Sequence, residues 1–181
     1  MKKFFIIFTI TFLCSCKKVD TPQDINSLLM SIKNYDCSMD ITFFSNKNTI
    51  NCTANQVYNY PENYSINFLD DNKLSIDYSD KMLKLTNNFL NLSEEIPNYD
   101  NINTNPLFLS YFLNSYFNAS AENIIESNLE KVSIKLPNNN AYLSHATLLL
   151  KDNLPYSLTY FDKNNQEKIN ILYNKFIFES S

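Results

Sequence analysis

Residues 37–54 read CSMDITFFSNKNTINCTA, and this stretch decides the fold. Apolar residues occupy every second position on both sides of the polar run 45–48: Cys37, Met39, Ile41, Phe43, Ile50, Cys52 and Ala54. A period of two is typical of β-strands with one buried face. The sequence therefore predicts a long β-hairpin that turns at residues 46–47.

The register of this hairpin separates its two cysteines. Cys52 lies opposite Ile41 in the predicted pairing. Cys37 lies opposite Gln56, four residues further along the ladder. At about 3.3 Å per residue this offset exceeds the Cα separation of about 7 Å that a disulfide allows. We expect two buried, unpaired thiols, since the spacing also matches no zinc or CxxC motif.

The same alternation elsewhere indicates nine to eleven strands, interrupted by two helices. Thr21 as N-cap, Pro22 at the first helical position and Asp24 at the third predict an amphipathic helix at the start of the domain. A polar break at 94–105 precedes a second, very apolar helix over 107–117.

This order of elements predicts an α+β domain in which a strongly curved antiparallel sheet, a half-barrel, carries helices over its concave face. Asn87 and Asn88 are predicted to form a two-residue turn. A change of parity in the last strand predicts a bulge near 174–175. Because the chain has no Gly, residues with positive φ should be mainly Asn or Asp, which tolerate that region best.

The second helix carries four aromatic residues that form the candidate apolar site: Phe108, Tyr111, Phe112 and Tyr116. Two interpretations are open. The rings could line a pocket for an acyl chain, or they could be the core face that packs against the sheet. Core packing is the commoner use of such a helix.

The composition excludes several classes of function. A P-loop, a GxGxxG turn and a nucleophile elbow all need glycine, of which the chain has none. All 15 basic residues are Lys, and the formal net charge is −4. With no basic stripe, nucleic acid is not an expected partner. We expect no cofactor and no bound metal.

Candidate catalytic groups are few. His145 is the single histidine, and it alternates outward from Ala146 in a predicted strand. The acidic pairs 94–95 and 70–71 could supply carboxylates for glycoside chemistry, but both fall in polar stretches where solvated charges are the usual interpretation. The sequence predicts a protein that is not an enzyme.

The N-terminus resembles a bacterial lipoprotein signal. A charged start and an apolar run over 4–13, too short to span a membrane, precede the lipobox residues Leu13, Cys14, Ser15 and Cys16. Leu13 and Ser15 fit Cys16 as the lipid-attachment residue, whereas choosing Cys14 would put the bulky Leu13 directly before the cleavage point. We expect a signal peptide and lipobox over 1–16, a tether over 17–20 and one domain over 21–181.

Several longer segments resemble one family. Residues 60–66 (YPENYSI) and 146–158 (ATLLLKDNLPYSL) are similar to the paired strands of the LolA-like lipoprotein-carrier fold. Within it, the lipobox and the apolar segment 105–112 (NPLFLSYF) look most like the GerS-like spore germination lipoproteins of clostridia.

This resemblance implies a non-enzymatic lipoprotein that binds a peptidoglycan amidase of the spore cortex. Acylation of Cys16 would hold it on the outer face of the cell or spore membrane, and the Asn- and Lys-rich composition indicates a low-GC Gram-positive source. Self-association as a homodimer is a further expectation. The alternative function is a carrier or sensor of lipid or lipoprotein acyl chains. Periplasmic carriers of this fold use an Arg on an early strand, which this chain lacks.

Overall fold

The computed structural model describes residues 24–61, 63–70, 73–99, 105–137 and 142–179. Within these ranges, two α-helices and one short 3₁₀ helix accompany eleven strands: α1 (Ile25–Ser31), α2 (Leu109–Phe117), the 3₁₀ helix (Ala121–Asn123), β1 (Asn34–Phe44), β2 (Thr49–Asn59), β3 (Asn63–Phe68), β4 (Leu74–Ser79), β5 (Met82–Asn87), β6 (Leu92–Pro97), β7 (Ile124–Ser127), β8 (Lys131–Lys135), β9 (His145–Lys151), β10 (Leu154–Phe161) and β11 (Glu167–Glu179).

All eleven strands form one antiparallel sheet in the order β6-β5-β4-β3-β2-β1-β11-β10-β9-β8-β7. The strongly curved sheet does not close into a barrel, so β6 and β7 are its two edges. Every neighbour in this order is also a neighbour in sequence except β1 and β11. The predicted fold class, including the number of strands, is confirmed.

The β1–β2 hairpin has the predicted register, with Ile41 opposite Cys52 and Cys37 opposite Gln56. The backbone N–H of Ser45 donates to the carbonyl of Asn48 over 3.0 Å and closes the turn. The two thiols are unpaired as expected. Cys37 is buried, whereas Cys52 is only half-buried.

The bulge predicted in the last strand is present. Ser38 pairs with Lys175 and the next residue, Met39, pairs with Tyr173, so that Asn174 has no partner in β1. The extra residue restores the inward direction of the following aromatic side chains. The Asn174 side chain donates to the carboxylate of Asp40 over 2.9 Å, which fixes the bulge.

Six of the eight described residues with positive φ are Asn or Asp, and the other two are Lys. Asp80 and Lys81 have φ of 50° and 61° between β4 and β5. Asp152 and Asn153 have φ of 53° and 62° between β9 and β10. Two consecutive left-handed residues are the mark of the type I′ turn, whose twist matches that of the strands it joins.

Three local predictions are wrong. Helix α1 begins at Ile25, and Asp24 is its N-cap: the carboxylate accepts from Ser27 N at 2.8 Å. Asn87 ends β5 opposite Leu92, so the turn is 88–91 and not the pair 87–88. The polar break, predicted to begin at residue 94, begins only after β6, because residues 94 and 95 lie inside that strand.

One continuous core lies between the helices and the inward face of the sheet. Ile25, Leu28 and Leu29 of α1 are buried in it, together with the inward residues of both halves of the sheet. Helix α2 lies across the same face, and Tyr64 of β3 contacts Phe108 at its start with ring centroids 5.1 Å apart. The two helices thus cover the apolar face of the sheet and shield it from water.

Candidate interaction surface

The four aromatic residues of the candidate apolar site lie in the core. Phe108 and Phe112 have no exposed surface, and Tyr111 and Tyr116 are 8% and 5% exposed. The Tyr111 ring stacks on Tyr160 of β10 with centroids 6.1 Å apart. These contacts place the rings between helix α2 and the sheet.

A buried glutamine attaches the start of α2 to the sheet. The side chain of Gln56, on β2, accepts from the Tyr35 hydroxyl over 2.7 Å and donates to the Leu107 carbonyl over 2.9 Å. Burial raises the pKa of Tyr35 well above its usual value, while hydrogen bonding from the Leu109 backbone partly opposes that rise. The sequence pattern gave no signal for this bridge, because Gln56 occupies an inward position otherwise reserved for apolar residues.

The other end of α2 is attached through a tyrosine. The Tyr116 hydroxyl donates to Asn26 of α1 over 2.6 Å and lies 3.0 Å from the Ser127 hydroxyl of β7. One side chain therefore connects both helices to the β7 edge of the sheet.

A row of aromatic rings crosses the inward face from β11 to β4, and we call it the tyrosine ladder: Phe176, Tyr35, Tyr58, Tyr64 and Tyr78. Successive ring centroids lie 5.2, 5.3, 4.7 and 5.9 Å apart. The four tyrosines lie directly opposite one another in the pairing of β1 to β4, whereas Phe176 lies opposite Cys37 and is diagonal to Tyr35. Cross-strand aromatic pairs of this kind stabilise the register of a sheet.

The candidate catalytic groups are not brought together. Glu95 forms an ion pair with Lys84 at 3.2 Å on the exposed surface of β6, and its neighbour Glu94 is also exposed. Asp70 lies in the bend after β3, and residue 71 lies outside the described residues. Within the described ranges, no group of three or more potential metal-ligating side chains is present.

His145 lies beside the Ser144 hydroxyl and near the β10–β11 turn that holds Asp162. Its Nδ1 atom is 2.9 Å from the Ser144 hydroxyl, and its ring stacks on Phe161 with centroids 4.7 Å apart. Burial lowers the pKa of His145, and the nearby charge of Asp162 partly opposes this. Asp162 itself accepts from the backbone N–H groups of residues 164 and 166 and forms an ion pair with Lys168.

An exposed apolar surface lies at the β5–β6 end of the sheet. We call this surface the β5–β6 tip and define it by four residues: Leu74, Phe89, Leu90 and Leu92. Phe89 is 69% exposed and Leu92 is 62% exposed. The pairing puts Leu74, Asn87 and Leu92 in one row across three strands, beside a shallow depression of about 380 Å³. A contiguous exposed apolar patch marks an interaction site more often than scattered residues do.

The β5–β6 tip adjoins an unpaired strand edge. Strand β6 ends the sheet, and no strand in the described part of the chain pairs with its outer side. Its exposed N–H and C=O groups can accept an additional strand. Sequence reasoning missed this edge because the charges of Glu94 and Glu95 made the segment resemble a loop.

The predicted signal peptide, tether, lipobox residues Leu13, Cys14 and Ser15, and attachment residue Cys16 all lie outside the described residues. In the part that the structure does describe, neither helix has the length and apolar character needed to cross a bilayer.

The fold and the surface define an open, curved α+β half-barrel that presents a strand edge and an apolar tip. The family model for YdcC-like sporulation proteins matches residues 1–181. The chain belongs to this family. A search of curated proteins finds no match.

Several solved structures are similar in fold. A chain in the structure of the CwlD amidase from Clostridioides difficile in complex with the GerS lipoprotein has 19% identity and a TM-score of 0.52, covering 85% of this chain and 91% of that one. An uncharacterized conserved protein from Thermus thermophilus has 9% identity and a TM-score of 0.52, covering 86% and 88%. The structural neighbours also include a LolA superfamily protein from Nitrosomonas europaea, with 7% identity and a TM-score of 0.38, covering 88% and 96%.

Proposed function

We propose that the protein is a lipid-anchored, non-enzymatic binding module that acts in sporulation by holding a protein partner at a membrane. The observation that carries the binding role is the β5–β6 tip beside the unpaired edge of β6. Its membership of a sporulation family gives the process. On this proposal its partner is a cell-wall amidase. The proposal is supported by the structure of the CwlD amidase with the GerS lipoprotein, which contains a chain of similar fold.

The charges on β6 bear on which strand could pair with it. In the two central registers of a two-fold pairing with a second copy, Glu94 faces Glu94 or Glu95 faces Glu95. Like charges directly opposite each other destabilise a strand pair. The edge of β6 is therefore better suited to a partner strand that carries Lys or Arg than to self-pairing, and a homodimer would form through another surface.

Anchoring is part of the proposal. Acylation of Cys16 would place the domain on the outer face of the cell or spore membrane, and this restricts its search for a partner on the same surface. We expect the Cys16→Ala variant to lose membrane association in a fractionation experiment. A variant that remains in the membrane fraction as wild type does would overturn the anchoring.

The binding test uses the full chain, solubilised in detergent, mixed with the amidase of its own organism. Size exclusion with light scattering should show one complex, and it also reports whether the chain alone is a dimer. Phe89→Asp and Leu92→Asp should weaken binding at least about tenfold, since a buried large apolar side chain contributes about 1.5–3 kcal/mol. Met30→Asp, at a position 60% exposed on α1, is the matched control and should bind normally.

Separate elution of the two proteins at micromolar concentration would count against the amidase as partner. Equal losses in the Met30→Asp control and the tip variants would instead refute the assignment of the binding surface. Folding of each variant is checked by thermal unfolding, because substitutions at exposed positions should change stability by no more than about 0.5 kcal/mol.

The carrier function is the second candidate. It needs space for an acyl chain between α2 and the sheet, where Phe108 and Phe112 are fully buried. This packing favours the binding module.

A further inference from the structure

A second surface feature lies at the opposite edge of the sheet from the β5–β6 tip. A depression of about 570 Å³ opens between the end of β8, strand β7 and the β10–β11 turn. Lys135, Lys163 and His145 are the basic residues of its lining, and the described lining residues include no Asp or Glu. A cluster of this kind is notable in a chain whose formal net charge is −4.

The imidazole in this depression is held in one orientation. His145 lies between Lys135 on β8 and Phe161 on β10 in the strand pairing. Its ring is parallel to that of Phe161 within 4°, and Ser144 Oγ lies 2.9 Å from Nδ1. When this hydroxyl donates to Nδ1, the neutral ring carries its proton on Nε2 and has one donor left for a ligand.

The remaining lining is partly apolar. Ile125, Leu136 and Pro137 line the depression together with the two lysines, and Leu136 is buried. A volume of about 570 Å³ lies within the roughly 300–1,000 Å³ typical of small-molecule sites. It therefore has room for an organic group as well as a charged one.

We propose that this depression is a binding site for a small organic oxyanion, a carboxylate or phosphate attached to an apolar group. Lys135 and Lys163 would neutralise the charge of the oxyanion. His145 Nε2 would donate a hydrogen bond to it, and Ile125 with Leu136 would contact the apolar part. Lysine acts here as a point charge, which suits carboxylate and phosphate alike.

The single histidine gives a specific reporter, because the imidazole resonances of the full chain come from one residue. We would titrate the protein with benzoate, phenyl phosphate and the neutral benzyl alcohol at constant ionic strength. Benzoate or phenyl phosphate should shift the His145 resonances saturably at millimolar concentration, and benzyl alcohol should not. A bound anion should also raise the pKa of His145 by favouring the imidazolium, adding to the effect of Asp162.

The double variant Lys135→Gln with Lys163→Gln should weaken binding roughly fivefold or more, as expected from the loss of two exposed ion pairs. Lys47→Gln, in the exposed β1–β2 turn, is the control and should leave affinity unchanged. The anion that binds more tightly identifies the ligand as carboxylate or phosphate. No saturable shift with either anion, an equal shift with benzyl alcohol, or unchanged affinity in the double variant would overturn the proposal.

Discussion

Replacing Gln56 with methionine tests how helix α2 is held on the sheet. Methionine keeps most of the side-chain volume but removes the acceptor for Tyr35 and the donor for the Leu107 carbonyl. Each buried group left without a partner costs about 1–3 kcal/mol. We therefore expect the free energy of unfolding to fall by about 3 kcal/mol, a large part of the roughly 5–15 kcal/mol typical of a domain.

The assay is equilibrium unfolding in urea. With a slope of about 2 kcal/mol per molar urea, the loss corresponds to a midpoint lower by about 1.5 M. Asn55→Ala, at the exposed neighbouring position of β2, is the control and should change the stability by no more than about 0.5 kcal/mol.

A double-mutant cycle with Tyr35→Phe separates the hydrogen bond from packing. In the wild type this change leaves the Gln56 carbonyl oxygen unpaired, whereas in the Gln56→Met background that oxygen is already gone. Tyr35→Phe should therefore reduce the free energy of unfolding by about 1 kcal/mol less in the Gln56→Met background than in the wild type. Additive effects, or a Gln56→Met variant as stable as the Asn55→Ala control, would refute the role assigned to the bridge.

Three further predictions concern the thiols, the core and one turn. Burial raises the pKa of Cys37 to about 12, so a thiol reagent should modify Cys52 first, and Cys37 only after unfolding or at high pH; equal rates would contradict its burial. Native mass spectrometry should show no stoichiometric lipid, because Phe108 and Phe112 fill the space under α2; a reproducibly bound fatty acid would favour the carrier function. Hydrogen bonds from the backbone of residue 166 lower the pKa of Asp162, so its stabilising effect is present above the ordinary carboxyl pKa and is lost as pH falls through the lowered value. Asp162→Asn should therefore be less stable than wild type at neutral pH, and thermal unfolding should show the difference shrinking in acid; a difference independent of pH would contradict this role for the charge.

The sequence predicts best where one face of a strand is buried. The alternation around residues 37–54 specified the register of β1 with β2, because a slip of one residue would expose every apolar side chain. The parity change after Tyr173 specified the bulge for the same reason. In both places burial leaves a single pairing that satisfies the pattern.

The edges of the sheet were harder to predict, since an edge strand needs no continuous apolar face. Strand β6 carries Glu94 and Glu95. Charged residues are common on an exposed edge strand, but here they interrupt the alternation of apolar and polar residues from which a strand is predicted. Strand β7 has only four residues. The start of α1 was misplaced because Thr21 and Asp24 both fit an N-cap, and only the contact with Ser27 N decides between them.

The candidate surfaces depend on contacts between distant parts of the chain. Lys135, at the end of β8, and Lys163, in the β10–β11 turn, line the same depression, and no local spacing relates them. The hydrogen bond between Gln56 and Leu107 could not be predicted either, because a polar residue at an inward position gives no indication of its partner 51 residues away.

The tyrosine ladder has a consequence for spectroscopy. The chain contains 12 Tyr and no Trp, so tyrosine dominates its near-ultraviolet circular dichroism. Rings in fixed contact between 4.7 and 5.9 Å apart couple their transitions, and this coupling exists only while β1 to β4 keep their register. The intrinsic signal of the unlabelled protein therefore reports on the half of the sheet that leads to the β6 edge.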